Sequence, residues 1–510
     1  MLIDEKKVID LLKEYNINVK GVLHIGAYEY EESTFYQNIG INKNNIICID
    51  SNNNKVIEAK EKGLNNIYYS LITDKDNDEI EFNIINNGQP SNIDSQTVYI
   101  PLITFIKKQI HKTTTIDTFY EKNKLDMKNY DFWNFDIQGT ELMALKGAKK
   151  AIKYAKVLYL EVNTEEVYKG CIKVNEIDKY VENYGFRRIF TKMTNAGWGD
   201  ALYLRINKMV LYIKNPNWPH NKNLQSIKRM CKSHYIELEI SFDLERIKKN
   251  DYQILLCTNT YIDPNIIPKN IKIIYGPHHF VFPEGELVGN LDNSLVKRCV
   301  YNCLSEWVYN VFYEMVPSLK TPLYSFPFSI EINKFKPNNL PKEYDCLVYI
   351  KQRSNDLVNF TLSLLNEKNI KYQLIKYTLY DENDYISLLQ KSKFMLVLDR
   401  HESQGFALEE AMSCNIPLLV IDATTMYDEM PDGVKSTYQY LKPTKKLLST
   451  SVPYWSDQCG IKITEKNDLS EAIDKMMINY ESYTPRNYII NTLSDEICMK
   501  RILDYFYNCG

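Results

Sequence analysis

Two glutamates separated by seven residues, Glu402 and Glu410, stand in the run His401-Glu402-Ser403-Gln404-Gly405-Phe406-Ala407-Leu408-Glu409-Glu410-Ala411-Met412. Apolar runs flank it, Phe394–Leu398 before and Ile416–Ile421 after, which predicts strand, loop, helix, strand. The helix is predicted to begin near Phe406 and to stop at Asn415-Ile416-Pro417. A helix N-terminus entered through Gly405 offers unpaired N–H groups to an anion such as a diphosphate. Glu402 belongs to the loop. Glu410, about one turn into the helix on the same side, can accept hydrogen bonds from a ribose. An amphipathic helix with solvated glutamates is the plain alternative.

A second set of residues lies near the start of the chain. Val22-Leu23-His24-Ile25 reads as a buried strand ending in the turn Gly26-Ala27, and the next strand, Ile46–Ile49, ends in Asp50. In a doubly wound fold the glycine turn lets a ligand approach the backbone, and the acid ending the next strand takes ribose hydroxyls. Tyr28, Glu29 and Tyr30 follow, so the Gly-x-Gly-x-x-Gly dinucleotide pattern is missing and a nicotinamide cofactor is disfavoured.

The elements needed to hold these residues come in two units. A chain of 510 residues exceeds one ordinary core, and its 44% hydrophobic content suits globular packing. The first unit, residues 1–207, opens with a helix over Lys6–Tyr15, alternates strands with helices, and ends in Gly197–Arg205, predicted as an edge strand. The second, 208–510, restarts with a strand at Met209–Ile213. It divides into a half over 208–336, a half over 337–485 and a final helical segment over 486–510 that crosses back onto the first half. Prolines 327, 337 and 341 bracket the hinge, and the strand Asp345–Ile350 follows. The fold class is α/β, a Rossmann-like domain followed by two facing Rossmann-like halves. No motif crosses the junction at Arg205–Lys208, so each unit is expected to fold alone.

Composition narrows the function. A net charge of −3 with lysines spread along the chain gives no basic face for nucleic acid. The 11 cysteines are scattered and lack any Cys-x-x-Cys pair, so reduced thiols are expected, with no disulfide framework and no zinc site. Cys299 and Cys303 have helical spacing but no nearby histidine to complete a metal site. The charged start Met1–Lys7 has no signal-peptide core, and no apolar run reaches the roughly 20 residues of a membrane span. A cytoplasmic protein is expected.

A longer set of motifs occurs in order: His24-Ile25-Gly26-Ala27, Glu31-Glu32, Asp50, Thr114–Phe119, Phe135-Asp136-Ile137-Gln138-Gly139-Thr140-Glu141, Leu160-Glu161-Val162-Asn163 and Trp198-Gly199-Asp200-Ala201. Together these resemble the FkbM family of S-adenosylmethionine-dependent O-methyltransferases, over about residues 18–205. The resemblance implies that Gly26 and Ala27 line the donor's methionine part, that Asp50 binds its ribose, and that Asp136 and Glu141 lie beside the transferred methyl. The departure Tyr28-Glu29-Tyr30 falls where relatives often carry a His or Asn and a further Gly. A sulfonium methyl is already activated, so catalysis is chiefly alignment plus a base for the sugar hydroxyl. Asp136 is the first candidate base and Glu161 the second; a helix-capping role for Asp136 is the plain alternative. His24, on a buried strand, reads as a hydrogen-bonded core residue. Asp136 and Glu161 could instead hold a divalent cation with substrate oxygens, but no metal is assigned.

The stretch Glu402–Met412 resembles the nucleotide-sugar motif of GT-B glycosyltransferases, and Pro327–Pro337 resembles the interdomain stretch of the large retaining GT-B family. That resemblance implies donor contacts from the backbone of Gln404, Gly405, Phe406, Ala407 and Leu408, ribose binding by Glu410, and Glu402 near the transferred sugar. It makes 208–336 the acceptor-side half and 337–485 the donor-side half. Lys351 and Arg353, after the first donor-side strand, are then placed to neutralise a leaving diphosphate, with solvated surface cations as the alternative. His278 or His279, at the end of an acceptor-side strand, could contact the sugar or its phosphate; a structural turn is the alternative.

The combined expectation is a bifunctional glycan-assembly enzyme. It would transfer a sugar from a nucleotide-diphosphate sugar to a glycan acceptor and O-methylate a sugar hydroxyl with S-adenosylmethionine. A glycosyltransferase with an inactive methyltransferase-like scaffold is the nearest rival. A nucleic-acid methyltransferase with an accessory binding domain is the rival of another class. The charge and the absence of an Asp-Pro-Pro-Tyr-like motif count against it. Sugar, base, acceptor, methylated hydroxyl, anomeric outcome and oligomeric state stay open at this stage.

Overall fold

The structure, a computed structural model, describes residues 1–15, 17–85, 90–91, 105–167, 170–214, 221–249, 252–258, 260–277, 291, 295, 297–338, 340–425 and 447–507. Helix α1 (Glu5–Glu14) starts at Asp4, whose carboxylate accepts from the Lys7 N–H at 3.2 Å. Strand β1 (Val22–Ile25) leads into α2 (Ser33–Asn38), β2 (Ile46–Asp50), α3 (Asn53–Glu61) and β3 (Ile67–Tyr69). After a small separate sheet within 71–114 come β4 (Phe132–Phe135), α4 (Glu141–Lys146), β5 (Val157–Asn163), β6 (Phe186–Met193) and β7 (Trp198–Arg205). The sheet runs β6-β7-β5-β4-β1-β2-β3, parallel except where β7 meets β5 and β6.

One expectation fails here. The strand predicted for the edge, β7, lies inside the sheet between β5 and β6, and its residues from Gly199 to Arg205 are buried. An antiparallel return strand can enter a sheet beside its predecessor, and the apolar alternation of β7 alone does not say which neighbours it has.

Alternation along these strands sorts side chains onto two faces. Leu23, Ile25, Ile47, Ile49, Trp133, Phe135, Leu158 and Leu160 pack into one core. Val22, Ile46, Cys48, Phe132, Val157 and Tyr159 face the other way into a second. His24, Asp50, Asn134, Glu161 and Asn163 share the parity of this second face. Polar side chains therefore gather where the face meets the carboxyl ends of the strands.

The second unit holds two parallel sheets. The first comprises β8 (Lys208–Tyr212), α5 (Asn221–Ser233), β9 (Glu237–Ser241), β10 (Ile254–Cys257), β11 (Lys272–Tyr275), β12 (Cys299–Asn302), α6 (Glu306–Met315) and β13 (Leu323–Tyr324), in strand order β9-β8-β10-β11-β12-β13. Cys299 thus lies in a strand and Cys303 beyond it, not on one helix. The second comprises β14 (Tyr344–Lys351), β15 (Tyr372–Lys376), α7 (Glu382–Lys391), β16 (Ser392–Asp399), α8 (Phe406–Ser413), β17 (Leu418–Ile421) and β18 (Gly460–Ile463), in order β15-β14-β16-β17-β18. Both orders reverse beside their first strand, the switch point at which open α/β sheets bind ligands. These are the two facing halves of a GT-B arrangement.

Helices α9 (Pro485–Leu493) and α10 (Asp495–Tyr507) follow, and α10 packs on α5 of the second unit and on β6 of the first sheet. Arg187, almost fully buried, donates to Asp504 at 3.1 Å, and Lys500 donates to Glu182 at 2.6 Å. Tyr15 and Tyr507 pack with ring centroids 5.4 Å apart. Ile3, Leu11, Ile206, Met209, Ile227 and Tyr507 belong to one apolar cluster. The junction between β7 and β8 is two residues long, and its Ile206 is buried. The two units share a core across the junction rather than meeting through a loose linker.

Candidate functional site

In the first unit the strand ends converge. Gly26 sits at φ +83°, and a Cβ there would stand 1.9 Å from the Asp136 carbonyl, so only glycine lets the turns after β1 and β4 approach. Asp50 closes β2. Its carboxylate accepts from the N–H groups of Tyr28 (2.9 Å) and Asn52 (2.7 Å) and is buried beneath the Tyr28–Tyr30 turn. Tyr28 and Tyr30 both have positive φ, at 35° and 64°. The turn is held by Lys55, whose ammonium lies 4.7 Å from the Tyr28 ring centroid and 3.0 Å from Glu29. Each Asp50 oxygen retains a second lone pair, so the residue fits a ribose if the turn opens over it.

Beside this turn lies a carboxyl pair. Asp136 is exposed and Glu161 is buried, and the two share a hydrogen bond. Burial, then the Asp136 charge, pushes Glu161 well above the usual carboxylate range, so it carries a proton and donates it to Asp136. Loss of hydration at the base of the site raises the Asp136 carboxyl too, the Glu161 hydrogen bond opposes that shift, and the charges of Asp200 and Glu32 add to it. The second Glu161 oxygen and both amide atoms of fully buried Asn163 lack partners among the described residues. Such atoms cost free energy unless a ligand or water satisfies them. Glu141 accepts from the N–H groups of Ile137 and Gly139, both at 3.1 Å, and so braces the loop after β4 from below. Its burial raises it to about 8. His24 is bonded to Tyr36 at 3.1 Å, and burial lowers it to about 4, leaving it neutral.

In the second unit a cleft of about 510 Å³ opens between the halves. Asn221, Lys222, Pro277 and Leu304 line it from one side; Lys351, Tyr377, Tyr380, Glu402 and Gly405 line it from the other. Lys351 forms an ion pair with Glu402 and sits 4.4 Å from the Tyr377 ring centroid. Burial opposes the Lys351 charge, but Glu402 and Asp399 outweigh it and raise its pKa. Gly405, at φ +95°, caps α8 and turns the helix N-terminus toward the cleft. Glu410 is buried one turn on; Lys222 donates to one of its oxygens at 2.5 Å, and the other oxygen has no partner among the described residues. Burial raises Glu410 to about 7 against the pull of Lys222.

Residues 22–188 match the family model described as the methyltransferase FkbM domain. The first unit is an FkbM methyltransferase domain. No curated protein sequence matches the chain. Solved structures similar to it include sucrose-phosphate synthase from Thermosynechococcus elongatus, at 9% identity and TM-score 0.35, covering 58% of this chain and 97% of that one. Anabaena HepE in complex with UDP and glucose is similar at 9% identity and TM-score 0.35, covering 58% and 98%. The N-terminal domain of Candida albicans trehalose-6-phosphate phosphatase is similar at 10% identity and TM-score 0.36, covering 62% and 99%. These likenesses are distant; the two-halved arrangement rests on the strand orders above. No described helix is long and apolar enough to cross a membrane.

In the FkbM domain Gly26, Ala27, Asp50, Asp136 and Glu161 gather at one end of the sheet, with Glu141 beneath them. In the second unit Lys351, Glu402, Gln404, Gly405, Phe406 and Ala407 line the cleft, and Leu408 packs into the core beneath it. Gln404 also clamps the interdomain stretch: its amide accepts from the Phe328 N–H at 2.9 Å and donates to the Phe328 carbonyl at 2.7 Å. Arg353 points elsewhere, donating to the carbonyls of Asp399 (2.8 Å) and Ile421 (3.0 Å) at the ends of β16 and β17. His278 and His279 lie outside the described residues. The sequence reading missed Lys222, Tyr377, Tyr380 and Asp399. Asp399, the acid ending β16, was open to the strand-end argument applied to Asp50; Lys222, on an amphipathic helix, gave no local signal.

Proposed function

We propose that the chain is a bifunctional glycan-assembly enzyme, using a nucleotide-diphosphate sugar in the cleft of the second unit and S-adenosylmethionine in the first. The observation that carries the sugar-donor half is Glu410. A buried carboxylate with one oxygen held and the other lacking a donor suits a ribose hydroxyl, and the α8 N-terminus beside it suits the diphosphate. Lys351 is the cation within reach of the leaving phosphate, where negative charge grows as the sugar–oxygen bond breaks. Its pairing with Glu402 holds it at the cleft wall. The acceptor hydroxyl forms the new bond at the anomeric carbon. We expect Glu410→Ala to weaken binding of the preferred nucleoside diphosphate, among UDP, GDP and ADP, by about ten- to a hundred-fold in calorimetry. Unchanged affinity would remove the donor assignment.

S-adenosylmethionine supplies an activated methyl. In the FkbM domain the exposed Asp136 takes the proton of the acceptor hydroxyl as the new C–O bond forms and the methyl–sulfur bond of the donor breaks, leaving S-adenosylhomocysteine. Glu161 stays protonated behind it and orients its carboxylate. Asp136→Asn should lower methyl transfer by about 10²–10⁴-fold while leaving S-adenosylhomocysteine binding intact. Equal loss of both would assign Asp136 to donor binding. The burial of Asp50 beneath Tyr28–Tyr30 favours a second reading, a glycosyltransferase carrying a methyltransferase-like scaffold. A thermal-shift response to S-adenosylhomocysteine, lost in Asp50→Ala, separates the two.

A further inference from the structure

Glu410 is paired and aimed from across the cleft. On its own half stand Glu382 of α7 and Glu409 of α8, while Lys334 of the interdomain stretch is itself paired to Glu382. The cation that reaches Glu410 is Lys222, the second residue of α5 in the opposite half, with its ammonium 2.5 Å from Glu410 and 3.4 Å from Glu382. The Phe335 ring, 5.6 Å from that ammonium, backs it. A carboxylate as buried as Glu410 stays ionised only beside an opposite charge. The bond takes one oxygen and leaves the other without a partner among the described residues, in a side chain that borders a recess of about 140 Å³ lined also by Lys222, Lys334, Glu382 and Phe406.

We infer that Lys222 is a positioning residue for the nucleoside diphosphate: from the acceptor-side half it holds one Glu410 oxygen so that the other accepts a ribose hydroxyl, tying donor affinity to the apposition of the two halves. This rests on the sugar-donor reading above. A single-half site would aim its ribose acceptor with its own residues. Here the aim exists only while α5 stands opposite α8, so separating the halves releases the nucleotide without any change in the donor-side sheet.

The test compares a nucleoside diphosphate with its dideoxyribose counterpart on one preparation of the full chain, using whichever of UDP, GDP and ADP binds tightest. Because the readout is a ratio of two affinities, an inactive fraction cancels. The native chain should prefer the ribose form by about ten- to a hundred-fold. In Lys222→Met the preference should fall to near unity; in Lys222→Arg, which keeps the charge, most of it should return. An undiminished preference in Lys222→Met, or none regained in Lys222→Arg, overturns the role of Lys222. A preference that survives Glu410→Ala overturns the donor reading itself, which keeps the two failures apart.

Discussion

Glu141, Glu161, Asp399 and Glu410 are acids that folding removes from water, and each is raised above the ordinary carboxylate range chiefly by that burial. Their environments then separate their roles. Glu161 is paired with an exposed carboxylate at the surface of a site, whereas Glu141 spends its oxygens on backbone N–H groups beneath it. The Glu141 shift has a sign that can be measured. Its carboxyl moves from an ordinary 4.5 to about 8, so between those values the folded chain keeps a proton that the unfolded chain releases. The stability it contributes is full below the unfolded value and is lost as pH rises toward the folded one. We expect the native melting temperature to fall between about pH 5 and pH 8. Glu141→Gln keeps an acceptor for Ile137 and Gly139 and should flatten that fall, as scanning fluorimetry across pH would show. Parallel pH profiles for the two proteins would mean that Glu141 titrates normally.

Two turns do most to bring these side chains together, and each depends on a glycine. At Gly405 the backbone is left-handed but the nearest atom to an added Cβ, on Glu402, is 3.5 Å away, so the penalty is conformational rather than steric. Gly405→Ala should cost about 1–2 kcal/mol of stability in denaturant unfolding. It should also weaken nucleotide binding, because α8 would enter at a different angle. At Gly26 the same substitution drives a Cβ into the Asp136 backbone. Gly26→Ala should therefore destabilise the FkbM domain more than Gly405→Ala destabilises the second unit, and should abolish binding of S-adenosylhomocysteine. A Gly26→Ala protein with native stability would mean that the turns after β1 and β4 part readily enough to relieve the 1.9 Å contact of the added Cβ with the Asp136 carbonyl.

Helix α10 joins the halves of this molecule that the sequence seemed to keep apart. It carries Asp504 to buried Arg187 and Tyr507 to Tyr15 in the FkbM domain, while packing on α5 of the second unit. Removing residues 495–510 would leave Arg187 without its carboxylate and uncover apolar surface on both sides. We expect calorimetry of the chain lacking 495–510 to show lower melting for the FkbM domain and for the acceptor-side half together. A loss confined to the second unit would restore the view of two independently folding parts. Because α5 also carries Lys222, the helix on which α10 packs itself reaches the cleft of the second unit.

The strands, their alternation with helices and the two-unit plan were legible because each is local. The parallel-sheet runs are apolar and short, Pro327 and Pro337 bracket a break, and glycines mark the turns after β1 and before α8. The strand-end acids Asp50 and Asp136 and the pair Glu402 and Glu410 were legible for the same reason, since a strand end or the first turn of a helix already says which way a residue faces. Burial depth, pairing and contacts between distant segments were not. Nothing near Lys222 says that it meets Glu410, 188 residues away in sequence. Nothing near Arg353 says that its guanidinium will be drawn to the carbonyls of Asp399 and Ile421. The place of β7 inside the sheet, the cover of Tyr28–Tyr30 over Asp50 and the core shared across Ile206 are likewise decided by which surfaces remain to be buried once the local elements exist.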